Sequence, residues 1–152
     1  MREFDEHWMS IAIEAAWNAA LNGEVPVGAV IVNEVGLQLA TAGNLTISNN
    51  DPTAHAEILA LREAAHNIGN YRLVGTAVYS TIEPCAMCAG ALVNARVARL
   101  VYGSRDERFG AVETLFRLCD DPRLNHRIEI VSGVLADQCR ELMQTFFRSR
   151  RQ

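Results

Sequence analysis

Apolar side chains recur at Phe4, Trp8, Ile11, Ala15 and Ala19, the spacing of one helical face, so residues 4–22 are expected to form an amphipathic helix turned toward a core. Asn22-Gly23 is its stop signal. The pattern then changes. Residues 25–32 form a nearly continuous apolar run of strand length, and 37–42 form a second run behind turn-forming residues 33–36, which together predict a hairpin. A polar stretch, 44–53, leads through Asp51-Pro52 into a helix over 55–67 with Asp51 or Thr53 as its cap. Beyond Gly69 the pattern predicts a strand over 76–82, a helix opened by Pro84 at its first position and running to 95, and a strand over 97–102. That alternation implies parallel pairing. After an irregular 104–110 come a short helix near 112–118, a strand over 127–131 and a terminal helix from 136.

This order predicts an α/β fold, a three-layer α/β/α sandwich around a mixed five-stranded sheet. No repeat, low-complexity tract or linker divides 1–152, and 152 residues with 49% hydrophobic composition suit one domain. Such a chain buries roughly 70% of its unfolded surface. No apolar stretch reaches bilayer length, and the start, MREFDEHWMS, is acidic and polar where a secretory leader is basic and then apolar. A cytoplasmic, reducing location is the expectation, so the four cysteines are read as metal ligands or buried thiols before disulfides.

All 14 basic side chains are arginine, which excludes a Walker-type phosphate loop, Schiff-base chemistry and a lysine general base. The net charge of −4 argues against coating nucleic acid by bulk electrostatics, but it averages two unlike segments. Residues 1–61 hold Arg2 against eight acids, whereas 62–152 hold 13 arginines against 10 acids and end in an aromatic and basic run, Phe146-Phe147-Arg148-Ser149-Arg150-Arg151. That run suits either a fraying helix end or an RNA-facing surface.

Two motifs carry candidate chemistry: His55-Ala56-Glu57 and Pro84-Cys85-Ala86-Met87-Cys88, each at the start of an expected helix. Cys85 and Cys88, three residues apart, lie on one side of a first turn, where the positive dipole end favours thiolates. His55 supplies a third ligand, leaving zinc one open tetrahedral position, the arrangement of a catalytic site. Glu57 is the candidate proton acceptor for a water held there, and on an ideal helix it points about 200° away from His55. A redox pair explains Cys85 and Cys88 alone but leaves His55 and Glu57 idle. A structural zinc site needs a closing ligand from Cys119, Cys139, His66 or His126, none of which forms a second ligand pair.

The pairing of H-x-E with P-C-x-x-C matches the zinc deaminases of nucleobases. Through segments 24–30, 51–57, 70–73, 83–91, 125–127 and 146–151, the chain resembles, over nearly its full length, the bacterial tRNA-specific adenosine deaminases (TadA) of the cytidine-deaminase superfamily. The resemblance implies a cytidine-deaminase-like fold and one Zn2+ per subunit on His55, Cys85 and Cys88. It further implies hydrolytic deamination of adenosine to inosine at the wobble position of a tRNA anticodon, releasing ammonia, with Glu57 as proton shuttle to a zinc-bound hydroxide. By the same resemblance Val27 lines the base pocket, Asn44 contacts the nucleoside, Asp106 and the terminal helix with Phe147 and Arg148 meet the anticodon loop, and the protein is a homodimer. The family usually has a lysine and a small residue after that aspartate, whereas here Glu107-Arg108-Phe109 precedes Gly110. The added acid repels phosphate, while Arg108 replaces a cation and Phe109 offers a ring for stacking. The other activities left open are deamination of free bases or nucleosides, RNA binding without catalysis, and CxxC redox chemistry.

Overall fold

The computed structural model describes residues 1–150; Arg151 of the terminal basic run lies outside the described residues. Nine elements follow in order: α1 (Arg2–Leu21), β1 (Gly28–Val32), β2 (Gln38–Gly43), α2 (Ala56–Ile68), β3 (Ala77–Ile82), α3 (Ala86–Asn94), β4 (Arg99–Ser104), β5 (Glu129–Ser132) and α4 (Ala136–Arg150). The strands form one sheet in the order β2-β1-β3-β4-β5. Here β1 runs antiparallel to β2 and β3, whereas β3–β4 and β4–β5 are parallel. The expected mixed five-stranded sheet is therefore present.

Alternation along the strands separates two cores. Ala29, Ile31, Val78, Leu100 and Tyr102 join the α2/α3 side, and Val30, Val32, Tyr79 and Val101 join the α1/α4 side. Because helices cover both faces, every residue of β1 is buried, which accounts for its unbroken apolar run. The buried face of α1 is rotated from the expected stripe. Trp8, Met9, Ala12, Ile13, Ala16 and Ala19 face inward, while Phe4 is exposed. Small residues decide this: a Cβ on Gly28 would overlap the Ala12 carbonyl, so Ala12 and Ala16 must meet the β1 backbone at close range.

Four expectations are corrected. The first strand begins at Gly28 because Val25 and Val27 close a local turn around Pro26, the Val27 amide donating to the Val25 carbonyl at 2.9 Å. The N-cap of α2 is His55, not Asp51 or Thr53; Asp51 instead accepts the Thr53 amide at 2.9 Å, and the Ala56 amide is satisfied by Asn44 Oδ1 at 2.8 Å. Pro84 precedes the N-cap of α3, which is Cys85. No helix forms over 112–118, because the carboxylate of Glu83 takes the amides of Val112, Glu113 and Thr114 at 3.1, 2.8 and 2.9 Å. A buried charge thus draws the backbone into turns.

Candidate active site

The helices α2 and α3 start at neighbouring points, and their N-caps, His55 and Cys85, both have extended backbone. The first turn of α3 then brings Cys88 to the same point. His55 Nδ1 lies 3.6 Å from Cys85 Sγ and 3.5 Å from Cys88 Sγ, and the three ligand atoms lie within 4.8 Å of one another. Both helix dipoles direct their positive ends here, which suits thiolate ligands. As an N-cap, His55 is not helical, so the ideal 200° separation from Glu57 does not apply: both side chains line one cavity of about 470 Å3.

Glu57 is 3% exposed and its Oε1 is buried without a hydrogen-bond partner. Burial, together with the negative charge of Cys85, pushes its carboxyl up to about 7. The Cys85 thiol is lowered to about 4, first by hydrogen bonding from Cys88, with His55 contributing, and Cys88 is raised by that same bond and by burial. His55 is raised, chiefly by its hydrogen bond with Cys85. A dication bound here would favour the thiolate form of both sulfurs.

This donor set fits zinc. One imidazole nitrogen and two sulfurs within reach of one ion make a three-ligand site with an open position, and the unpaired oxygen of Glu57 lies on the same cavity. Among the described residues no fourth ligand closes it. Cys119 and Cys139 are buried in the two cores on opposite faces of the sheet, and His126 Nε2 bonds the Val97 carbonyl at 2.7 Å.

Val27, Asn44, His55, Glu57, Cys85, Asp106 and Phe147 all line the cavity, with Thr46, Ile82, Glu83 and Phe109 among their neighbours. Asn44 Oδ1 is committed to the Ala56 amide, which leaves its NH2 group as the donor available to a ligand. Arg148 is not among the lining residues; its guanidinium bonds Thr145 Oγ1 at 3.3 Å on the outer surface of α4.

Two glutamates that motif reading passes over hold the rim. Glu24, fully buried, accepts the amides of Ile47 and Ser48 at 3.1 and 2.7 Å and the Ser48 hydroxyl at 2.6 Å, fixing the turn after Asn44. Glu83, 1% exposed, accepts the Asp106 amide at 3.2 Å as well as those of 112–114, and the Thr114 hydroxyl. Burial raises both carboxyls, but these hydrogen bonds outweigh it and hold them below the usual range. Gly110 is required beside Glu83, since a Cβ there would overlap the carboxylate. The one signal in the sequence was an acid at the end of an apolar run, without a hint of its partners.

Residues 2–104 match the family model of the cytidine and deoxycytidylate deaminase zinc-binding region. The tRNA-specific adenosine deaminase of Haemophilus influenzae is 49% identical over 99% of this chain and 87% of its own, and that of Buchnera aphidicola is 42% identical over 97% and 96%. A solved structure from work on A-to-I editing by tRNA:A34 deaminases at the wobble position of transfer RNA is 42% identical, with a TM-score of 0.86 over 90% of this chain and 98% of the other. Guanine deaminase from Nitrosomonas europaea is more distant, 25% identical with a TM-score of 0.78 over 93% and 83%. With a zinc-binding-region model matched over residues 2–104 and near-complete coverage by these relatives, the chain belongs to the cytidine and deoxycytidylate deaminase family, among its tRNA-specific adenosine deaminases.

Proposed function

We propose that this chain, acting as one deaminase domain, converts adenosine to inosine at the wobble position of a tRNA anticodon and releases ammonia. The observation that carries the chemistry is Glu57, its Oε1 buried and unpaired, on the cavity lined by His55 and Cys85, with Cys88 completing the ligand set. When bound by those three side chains, zinc acts as a Lewis acid that makes a water acidic at neutral pH. Glu57 takes one proton of the water that attacks C6 and passes it to N1. It then takes the second proton from the new C6 hydroxyl, which becomes the inosine carbonyl, and delivers it to the leaving amine. Water enters and ammonia leaves, so the carboxylate ends as it began. The NH2 group of Asn44 donates to the nucleoside, and Val27 packs on the base.

Asp106 and Phe147 at the cavity mouth, and Arg148 on the outer surface of α4, are assigned to the anticodon loop. A loop base is already splayed, so no duplex need be opened. A homodimer belongs to the same reading; Ile58, Ala91 and Asn94 line two adjoining clefts on the α2/α3 face that a second copy of this chain would cover. So does a cytoplasmic location, where the tRNA substrate is found. No helix among the described residues is long and apolar enough to cross a membrane.

The distant match to guanine deaminase supplies the second reading, deamination of a free base. One assay separates the two: zinc-loaded protein is given an anticodon stem-loop or free adenine, guanine, cytosine and their nucleosides, and inosine and ammonia are measured. Inosine in the stem-loop with no ammonia from the free compounds is expected. Turnover of the free compounds alone contradicts the tRNA reading.

A further inference from the structure

The segment 105–110 carries a ring that neither the core nor the chemistry above uses. Phe109 is 66% exposed although it stands at the mouth of the cavity that holds His55 and Glu57. Its backbone is nevertheless fixed. Asp106 Oδ1 accepts the amides of Arg108 and Phe109 at 3.0 and 3.2 Å, the Asp106 carbonyl accepts the Gly110 amide at 3.0 Å, and the Asp106 amide is held by buried Glu83. The ring is therefore presented from a tied loop.

Exposed Phe147 and Tyr71 have partners, Phe147 meeting Phe146 edge-on at 5.4 Å and Arg72 lying over Tyr71 at 5.7 Å, whereas the exposed rings of Trp17 and Phe116 do not line this cavity. Among the described residues no ring or guanidinium packs on Phe109. Just before it in the same segment, Arg105 and Arg108 are exposed, and neither forms an ion pair within the described residues. Of the two acids between them, Asp106 has one oxygen taken by backbone amides, and Glu107 is exposed. An unpartnered ring in one loop with two unpaired guanidinium groups is the composition of a single-strand stacking platform, where the ring takes a base and the cations take phosphates.

The size of the cavity says which base. About 470 Å3 suits one nucleoside, so the nucleotides on either side must leave through the mouth where Phe109 stands. We propose that Phe109 stacks on the nucleobase immediately flanking the reacting adenosine, with Arg105 and Arg108 meeting the phosphates beside it. This rests on the tRNA reading above and assigns one contact within it. Because every base has a π face, the contact supplies affinity and register with little choice of base.

The test uses zinc-loaded wild type, Phe109→Ala, Phe109→Leu and Phe109→Trp with an anticodon stem-loop, intact or abasic on the 5′ or the 3′ side of the reacting adenosine. Deamination kinetics and equilibrium binding are both read. Ala and Leu should raise KM and Kd roughly five- to a hundredfold, the range for a lost base–aromatic stack, with kcat nearly unchanged. Trp should stay near wild type. On one of the abasic stem-loops the Ala substitution should cost nothing further. Wild-type behaviour of Leu, or an Ala penalty that persists on both abasic stem-loops, overturns the proposal. A wild type that binds the stem-loop without turning it over overturns the tRNA reading instead, and the binding series still decides Phe109: equal Kd for wild type and Ala, or no binding at all, refutes it.

Discussion

The floor of the cavity and its rim are held by different physics. The floor comes from two helix starts, where His55 and Cys85 occupy N-caps and Cys88 follows within a turn, so each ligand is aimed by the local geometry of a helix start and the packing of α2 beside α3 brings the three atoms together. The rim comes from irregular chain at 45–48 and 105–114, held at long range by two buried carboxylates, Glu24 and Glu83. Local geometry leaves a short motif in the sequence; long-range capture of backbone amides does not. The two regions should therefore fail differently: damage to the floor removes chemistry, and damage to the rim removes substrate fit and stability.

The largest effects are expected at the floor. Stripping the metal with a chelator, or replacing Cys88 with Ala, should abolish deamination, with zinc content measured on the same samples and activity restored by zinc only in the wild type. Glu57→Gln keeps the ligands and removes the proton carrier, so kcat should fall about 10²- to 10⁴-fold while zinc content stays full. If the chemistry survived in either variant, the floor would not be the reacting centre.

Rim substitutions should give intermediate effects of another kind. Glu83→Gln replaces an acceptor of four amides by a group with one acceptor oxygen and a misplaced donor. Losing charge-assisted bonds of this type costs about 1.5–3 kcal/mol, which lowers Tm by several degrees in a chain of this size. KM for the stem-loop should rise more than kcat falls, and hydrogen exchange should quicken at Val112, Glu113 and Thr114. An equal loss in both kinetic constants would place Glu83 in the chemistry instead.

Acid sharpens the same contrast. The carboxyls of Glu24 and Glu83 are held below the ordinary value of 4.5, so their stabilisation is present above that pH and is lost as pH falls through their folded values. The Tm gap between wild type and Glu83→Gln should therefore narrow on acidification below about pH 4.5. A gap independent of pH would mean that packing, not charge, holds the rim. The smallest effect is expected at Arg108→Lys, which preserves charge in an exposed loop; unchanged deamination with an unchanged salt dependence would make the arginine there a matter of composition.

Much of the frame was legible from periodicity, because each helix and strand buries a face whose spacing survives in the sequence. The hairpin, the mixed five-stranded sheet, the parallel pairs and the helices on both faces accord with that reading. It failed where tertiary contacts override local pattern. Gly28 turned α1 by drawing Ala12 and Ala16 inward, and Asn44, twelve residues upstream, supplied the N-terminal hydrogen bond that Asp51 and Thr53 seemed placed to give. Residues 112–118 have helical spacing, but their amides belong to Glu83. At the site, His55, Glu57, Cys85 and Cys88 were visible as motifs, whereas Glu24 and Glu83 act through partners more than twenty residues away. A carboxylate without a patterned partner carries no periodic trace.

The central claim, a zinc site in which Glu57 moves the protons for an RNA-borne adenosine, is tested most directly by one experiment. Wild type and Glu57→Gln, matched for zinc content and for stem-loop binding, are compared for inosine formation at the anticodon adenosine by mass spectrometry. The account predicts full conversion by the wild type and none on the same timescale by the variant. Equal conversion by the two proteins, or none by a zinc-loaded wild type that binds the stem-loop, would contradict it.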